Sequence, residues 1–455
     1  MLTYDLSGGG QPKYYRLYTC IREDILRAEL LPGQKLPSKR ALAEHLHVSI
    51  ATVSGAYEQL VDEGYLAAKP RSGYYVSAIS RLPSGSAAQP RLRMLPADDA
   101  PAQEASGYGF RYSALTKLMR EVIADCGTRL LEKPPHYGCA ELRNAIAEYL
   151  LRYRGMLAQP ECIVIGSGAE YLYGLVVQLL GRDRVYGLED PGYEKVRQVY
   201  AANGAVCELL PMSDDGIRAD ALQRTDATVL HVTPFHSFPT GITTSAAKRS
   251  EYLAWAAGRD AILIEDDFDS EFSENKKPLQ TLYSMDRRGC VIYINTFSHS
   301  LAPSMRMGYM VLPETLLPAY EENGRCFSAT VSKTDQKILE EFMRSGAFER
   351  HLNRMREIYK GKHDVLLGEL KPLEKRFEIT GEFAGLHVLL KDKKKETEQS
   401  LLEKAAKNRV RVYELSGFYM EEAQAKETST IVLGYAGLTE EKIRKGVELL
   451  REAFD

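Results

Sequence analysis

Val291-Ile-Tyr-Ile-Asn-Thr296-Phe-Ser298-His299-Ser-Leu-Ala-Pro-Ser-Met-Arg306 is a short apolar β-rich run that opens into a loop dense in hydroxyls and closes on an arginine. Four other stretches share this layout. Cys162-Ile-Val-Ile leads into Gly166-Ser167-Gly168-Ala169, and Arg184-Val-Tyr-Gly-Leu leads into Glu189-Asp-Pro-Gly-Tyr193. Thr228-Val-Leu-His-Val leads into Thr233-Pro-Phe-His-Ser-Phe-Pro-Thr-Gly241, and Ala261-Ile-Leu-Ile leads into Glu265-Asp266-Asp-Phe268-Asp-Ser-Glu-Phe272. Short apolar strands alternating with helical stretches predict a doubly wound α/β fold. Its mostly parallel sheet is buried on both faces. Ligands of such sheets sit outside the carboxyl ends of the strands, and all five motifs fall there. The Gly-Ser-Gly turn would bring backbone N–H groups and a helix N-terminus to an anion. Singly, each motif also has an ordinary reading as a turn, a surface carboxylate, a core aromatic or a solvated cation.

The bulk properties bound the function classes. A chain of 455 residues is too long for one ordinary core. Its net charge of -3 gives no overall pull toward nucleic acid or membrane, so a DNA-binding part must show itself locally. The 7 cysteines are scattered without CxxC or zinc spacing, which predicts reduced thiols and no metal site. No leader-like or membrane-spanning apolar run is apparent, so a cytoplasmic location is expected. Residues 82–107 are rich in Pro, Ala, Ser and Gly and show no sustained period, as a tether would. The expected division is 1–77, a linker over 78–106, and 107–455.

The first segment reads as three helices and a hairpin. Tyr14 to Glu29 carries an apolar stripe at Leu17, Cys20, Ile21, Ile25 and Leu26. Ser38 and Ser49 are natural N-caps for a second and a third helix only a few residues apart, as in helix-turn-helix. Gly64-Tyr-Leu-Ala-Ala-Lys-Pro-Arg-Ser-Gly-Tyr-Tyr-Val76 reads as two strands around a turn. Residues 1–77 hold nine Lys/Arg against eight Asp/Glu, so cations must be clustered for DNA binding to work. Lys39, Arg40, Lys69 and Arg71 supply such a cluster. The order helix-helix-helix-wing, with L-P-S-x-R, V-S-x-x-T-V, E-G-Y-L and S-G-Y-Y-V at these spacings, resembles the GntR family of winged-helix repressors. The resemblance implies that Ser38 and Arg40 meet phosphates, with Lys39 beside them. It places Ser49, Ile50 and Thr52 at the start of the recognition helix in the major groove of a double-stranded operator, and Arg71, Ser72 and Gly73 at the wing tip. Ile50 stands where the family commonly has arginine, so a guanine contact is replaced there by an apolar one.

The rest of the chain resembles the aminotransferase-like domain of MocR/GabR-type regulators, which join a GntR winged helix to a fold-type I domain for pyridoxal 5'-phosphate (PLP). The match rests on Tyr137-Gly-x-x-x-Leu-Arg, Gly166-Ser-Gly-Ala, Glu189-Asp-Pro-Gly-Tyr, Pro239-Thr-Gly, Glu265-Asp-Asp-x-Asp-Ser-Glu-Phe and Thr296-Phe-Ser-x-Ser-Leu-x-Pro-Ser-x-Arg. It implies a small α+β subdomain at the C-terminus, Asp266 paired with the pyridine nitrogen, and Tyr193 stacked on the ring. Ser167, Gly168, Ala169, Thr296, Ser298 and Arg306 then hold the phosphate. Four departures bear on mechanism. His299 occupies the position of the Schiff-base lysine, and imidazole forms no stable imine. Phe268 replaces a tyrosine whose hydroxyl reaches the cofactor, and Ser237 stands where a glutamine is usual. Gly417 falls at the effector-binding arginine of GABA-sensing members; Lys195 and Arg411 are candidates to replace that charge.

These substitutions predict a degenerate aminotransferase without ordinary turnover, because transamination needs the lysine as imine partner and base. The expected protein is a transcriptional regulator sensing PLP, pyridoxamine phosphate (PMP) or an amino-compound adduct, held non-covalently. Its effector is an amine or amino acid. The resemblance also implies a head-to-tail homodimer, with Tyr137 a candidate contributor to the partner's pocket. Two alternatives remain: a PLP-dependent enzyme with an accessory DNA-binding domain, and a PLP-independent repressor whose pocket is lost or re-used. For His299 itself two further readings stand: a general base for chemistry on a non-covalently held PMP adduct, or a structural filler in a pocket that binds another ligand or none.

Overall fold

Ser38 and Ser49 begin helices as their sequence context requires. In the computed structural model the Ser38 hydroxyl accepts the Ala41 N–H at 3.2 Å, and the Ser49 hydroxyl accepts the Thr52 N–H at 3.1 Å. The structure describes residues 2–6, 12–78, 112–267, 270–272, 279–298, 300–301, 303–324, 327–381, 386–421 and 428–454. Phe268, His299 and the tether over 82–107 lie outside the described residues. The chain divides into two compact units, Met1–Asp99 and Ala100–Asp455.

The first unit contains α1 (Lys13–Leu26), α2 (Lys39–His45), α3 (Ile50–Asp62), β1 (Leu66–Lys69) and β2 (Gly73–Val76). Leu17, Ile21, Leu42, Val53, Tyr57, Leu60 and Val76 form one core beneath the helices and the antiparallel β1–β2 wing. The first helix ends with its apolar stripe, at Leu26, short of the Glu29 boundary expected from the sequence. Ala28 adopts φ +62, and the N–H groups of Glu29 and Leu30 both turn back to the Asp24 carbonyl. This closure ends the helix before the chain reaches Glu29.

The second unit is built on strands β3 (Ile163–Gly166), β4 (Val185–Asp190), β5 (Val206–Ser213), β6 (Gly216–Ile217), β7 (Val229–Val232), β8 (Ile262–Asp267), β9 (Val291–Thr296) and β10 (Gly308–Val311). They form one mixed sheet in the order β3-β10-β9-β8-β7-β4-β5-β6. Strands β5, β4, β7, β8 and β9 run parallel, and β10 is antiparallel to both its neighbours. Alternation along the strands feeds two cores. Ile163, Ile165, Tyr293 and Tyr309 face one layer; Val164, Ile292, Ile294 and Met310 face the other. The chain moves from β4 outward to β5 and then returns to β7 on the other side. The strand order therefore reverses between β4 and β7, which opens a crevice at their carboxyl ends.

Beyond the long helix Ala347–Leu370 come β11 (Phe377–Thr380), β12 (His387–Asp392), β13 (Tyr413–Glu414) and β14 (Thr430–Gly434), an antiparallel sheet in the order β11-β12-β14-β13. Helices Glu398–Lys407 and Glu440–Phe454 cover it through Leu401, Ala405, Ile443, Val447 and Leu450. This is the expected small α+β subdomain, and the starts and ends of its strands form one wall of the crevice.

Candidate functional site: a cleft with an anion-binding end and an acidic floor

A cavity of about 460 Å³ lies at the carboxyl ends of β4, β7, β8 and β9. Ala169, Tyr193, Asp266, Thr296, Ser298 and Arg306, all expected from the sequence, line it. Ser167 and Gly168, also expected from the sequence, do not line it.

The anion-binding end is set by backbone. Strand β3 ends at Gly166, Gly168 turns at φ +98, and the helix Ala169–Leu180 begins with no side chain capping it. Its first-turn N–H groups and positive dipole end therefore suit an anion. The Ser167 N–H is already given to the Thr330 hydroxyl at 3.1 Å. A Cβ on Gly168 would come within 3.2 Å of Arg306 Nη2, so the guanidinium lies directly over the glycine turn. Arg306 itself adopts φ +41, a left-handed conformation that costs a non-glycine residue energy and is concentrated at functional positions. Thr296, the last residue of β9, and Ser298 bring hydroxyls to the same end.

Asp266 is the floor. It is 6 % exposed, and its Oδ2 accepts the Tyr173 hydroxyl. His231 Nε2 stands 3.3 Å from the same oxygen, but its direction does not make a hydrogen bond. His231 Nδ1 is fixed at 2.8 Å from the Tyr200 hydroxyl. Burial, together with the Asp266 carboxylate, holds the Tyr173 hydroxyl well above its ordinary pKa, so it stays a donor. The acidic motif divides by strand alternation. Asp266 faces the cavity, whereas Asp267 Oδ2 on the other face accepts Arg154 Nη2 at 2.6 Å and the Tyr293 hydroxyl at 2.7 Å. Glu265 accepts the N–H groups of Leu282 and Tyr283 at 2.8 and 3.0 Å and thereby caps a short helix.

Tyr193 is 52 % exposed at the mouth, edge-on to Phe238 with 6.3 Å between ring centroids. Phe238 packs against His387 and Phe418. The opposite wall comes from the small subdomain as Leu386, His387, Met420, Gly434 and Ala436. It is tied to the large sheet where His387 Nε2 meets the Pro239 carbonyl and the Met420 N–H meets Asp190 Oδ1, each at 2.8 Å. Gly417 sits in the short turn Ser416–Phe418 and does not line the cavity. Nor does Arg411, whose guanidinium lies over the Tyr413 ring at 5.0 Å. Ser237 donates to Glu189 Oε2 at 2.9 Å, and burial pushes the Glu189 carboxyl up to about 8, so it is largely neutral at pH 7.

Sequence reasoning missed Tyr173, His231, Tyr200 and Glu189. His231 did carry a signal, being a lone polar residue within an apolar strand. Tyr173 carried none, since only the packing of its helix brings it to Asp266.

On the first unit, Arg40 and the 51 %-exposed Ile50 are open to solvent at the starts of α2 and α3. Lys39 is engaged inside the unit: its Nζ lies 2.7 Å from the Ser54 hydroxyl and 3.1 Å from Glu58 Oε1, both on α3. At the wing, Arg71 turns at φ +59 and Gly73 at φ +117, the Ser72 and Tyr75 hydroxyls are 2.7 Å apart, and Lys69 stands over the Tyr75 ring at 4.7 Å.

A helix-turn-helix with a wing, joined to a crevice of this construction, defines a regulator carrying an aminotransferase-like domain. Residues 13–76 match the bacterial regulatory proteins of the gntR family, and residues 110–450 match aminotransferase class I and II. The chain is 36 % identical over 456 residues to the uncharacterized HTH-type transcriptional regulator YdeL of Bacillus subtilis (strain 168), covering 97 % of each. It is 28 % identical over 468 residues to the probable rhizopine catabolism regulatory protein MocR of Rhizobium meliloti, covering 97 % of this chain and 94 % of that one. In fold it is similar to the crystal structure of an archaeal alanine:glyoxylate aminotransferase, with a TM-score of 0.68 and 24 % identity over 76 % of this chain and 87 % of that one. The chain belongs to the MocR-type HTH transcriptional regulators, in which a GntR helix-turn-helix domain is fused to an aminotransferase class I/II domain. Among the described residues, no helix is long and apolar enough to cross a membrane, and no cluster of His, Cys, Asp and Glu could hold a metal ion.

Proposed function

We propose that this regulator binds a double-stranded operator through α3 and the wing, and that PLP or PMP, free or as an adduct with an amine or amino acid, is its non-covalent ligand. One observation carries the reading: a single cavity has an uncapped helix N-terminus with Arg306 at one end and a buried, hydrogen-bonded Asp266 at its floor. A phosphorylated pyridine fits that separation of functions. The Gly168 turn, Thr296, Ser298 and Arg306 would take the phosphate, Asp266 would take the protonated ring nitrogen, and Tyr193 would cover the ring face. When bound, such a cofactor supplies an electrophilic aldehyde or an amine on an electron-withdrawing ring. Tyr173 keeps the Asp266 carboxylate in position by its hydrogen bond, and Phe238 with the small-subdomain wall would shield the ring edge from water. His299 in place of lysine supports retention without a covalent bond and a sensing role instead of ordinary turnover.

The same reading assigns 1–77 to DNA binding, 78–106 to a linker and 107–455 to effector binding and head-to-tail dimerisation, with Tyr137 offered to the partner's pocket and the protein in the cytoplasm. Ligand would act by biasing the placement of two winged helices and so the half-site spacing they span.

The test is selection of bound sequences from a random double-stranded DNA pool by the full-length protein, followed by affinity measurements with and without PLP or PMP. Two half-sites at a fixed spacing, with an affinity that changes on adding ligand, are expected. DNA binding indifferent to both ligands at saturation would contradict the sensing role.

A further inference from the structure

The anion-binding end of the cleft already contains an anion. Glu170 is the second residue of the helix Ala169–Leu180 and lines the cavity. Its two oxygens are divided between two cations: Oε1 lies 2.5 Å from Lys195 Nζ, and Oε2 lies 3.2 Å from Arg306 Nη2. The carboxylate thus covers the guanidinium poised over the Gly168 turn, and it also sits in the first turn of an uncapped helix, where a negative charge is favoured. The Lys195 ammonium holds the Glu170 carboxyl below its ordinary pKa, so it is ionised at neutral pH. Lys195 belongs to the first turn of the helix Glu194–Ala202, directly after Tyr193. Glu170 therefore bridges Arg306, the start of its own helix and the segment that presents Tyr193.

We propose that Glu170 is a resident counter-anion that holds Arg306 and Lys195 in the ligand-free protein and is displaced from Arg306 by the phosphate of an entering ligand. The inference rests on the phosphorylated-pyridine reading above. A phosphate on the same guanidinium repels the Glu170 carboxylate, so loading weakens the Glu170–Arg306 contact even though the guanidinium has further N–H donors. Small inorganic anions lack a ring nitrogen for Asp266 and a ring face for Tyr193, and so cannot offset that loss. A phosphorylated pyridine gains all three contacts. Glu170 accordingly discriminates against free phosphate and sulfate and sets the affinity for the intended ligand class. Its release of Arg306 also alters the tie to the Tyr193 segment on loading.

The experiment uses the full-length protein and 4'-deoxypyridoxine 5'-phosphate, a probe that cannot form imines with surface lysines. Its affinity is measured by equilibrium dialysis for the wild type, Glu170→Gln and Arg306→Ala, with and without inorganic phosphate. Thermal unfolding confirms that each variant is folded. Removing one like charge beside the bound phosphate should tighten binding by about tenfold in Glu170→Gln. Inorganic phosphate should compete more effectively against that variant than against the wild type. Equal affinity in wild type and Glu170→Gln, or weaker binding in the variant, would overturn the counter-anion role and leave the ligand reading standing. Absence of binding in both, with Arg306→Ala no different, would overturn the ligand reading and the counter-anion role together.

Discussion

The two ends of the cleft differ in what they have kept. At the anion-binding end the glycine turn, the uncapped helix, two hydroxyl residues and Arg306 all converge. The residues that the family resemblance assigns to chemistry on an amine are exchanged in the sequence: His299 stands for lysine and Phe268 for tyrosine, both outside the described residues, and the Ser237 hydroxyl is given to Glu189. On the proposed function, a site that retains its grip and gives up its reactive groups suits recognition of a phosphorylated pyridine better than its conversion. Grip requires only fixed donors and charges, whereas transamination requires a residue that can both form an imine and move a proton.

The contrast can be broken most directly at Arg306. Arg306→Ala should weaken retention of a phosphorylated pyridine by roughly 50-fold, the scale of losing a charge-assisted contact to phosphate; equilibrium dialysis reads this. A loss no greater than that of an amine-end variant would erase the distinction between the two ends. Tyr193→Ala should cost about fivefold, since a half-exposed ring contributes stacking but no charge, and the loss should appear mainly as faster dissociation.

Glu189→Gln sharpens the comparison from the other side. The substitution keeps an acceptor for the Ser237 hydroxyl, so affinity for the phosphorylated pyridine at pH 7 should change by less than about twofold. Its stability should behave differently. Burial raises the folded carboxyl to about 8, so the folded state holds a proton that the unfolded chain has lost. This makes the wild type progressively less stable as pH rises from the ordinary carboxyl range toward 8. The glutamine variant lacks that loss. Relative to wild type, its unfolding midpoint should rise by about 2 °C between pH 6 and pH 8.5, as followed by differential scanning fluorimetry.

How much of this was legible in the sequence depended on whether a residue's role is local or assembled. Strand-to-loop transitions are local, so the five motifs correctly located the cleft at the strand ends, and Ser38 and Ser49 announced their helices. Asp266 was separable from Glu265 and Asp267 only through the family motif; alternation along β8 then supplied the physical reason, sending Asp266 to the cavity and its neighbours into buried networks. Tyr173 and Tyr200 reach Asp266 and His231 from separate helices, and no spacing in one dimension records that meeting. Lys39 read as a free cation, yet in the fold it closes onto Glu58. The apolar stripe of α1 ended where the helix does, at Leu26, whereas the expected span to Glu29 ran past the position where Ala28 turns the chain.

The central claim is that the cleft holds PLP without a covalent bond. The measurement that tests it most directly is the absorbance spectrum of the protein after incubation with PLP and removal of unbound cofactor, recorded for the wild type, His299→Ala and Asp266→Ala. The account predicts a retained free-aldehyde band in the wild type, unchanged in His299→Ala and lost in Asp266→Ala. No retained band in any of the three, or a retained band indifferent to Asp266, would contradict it.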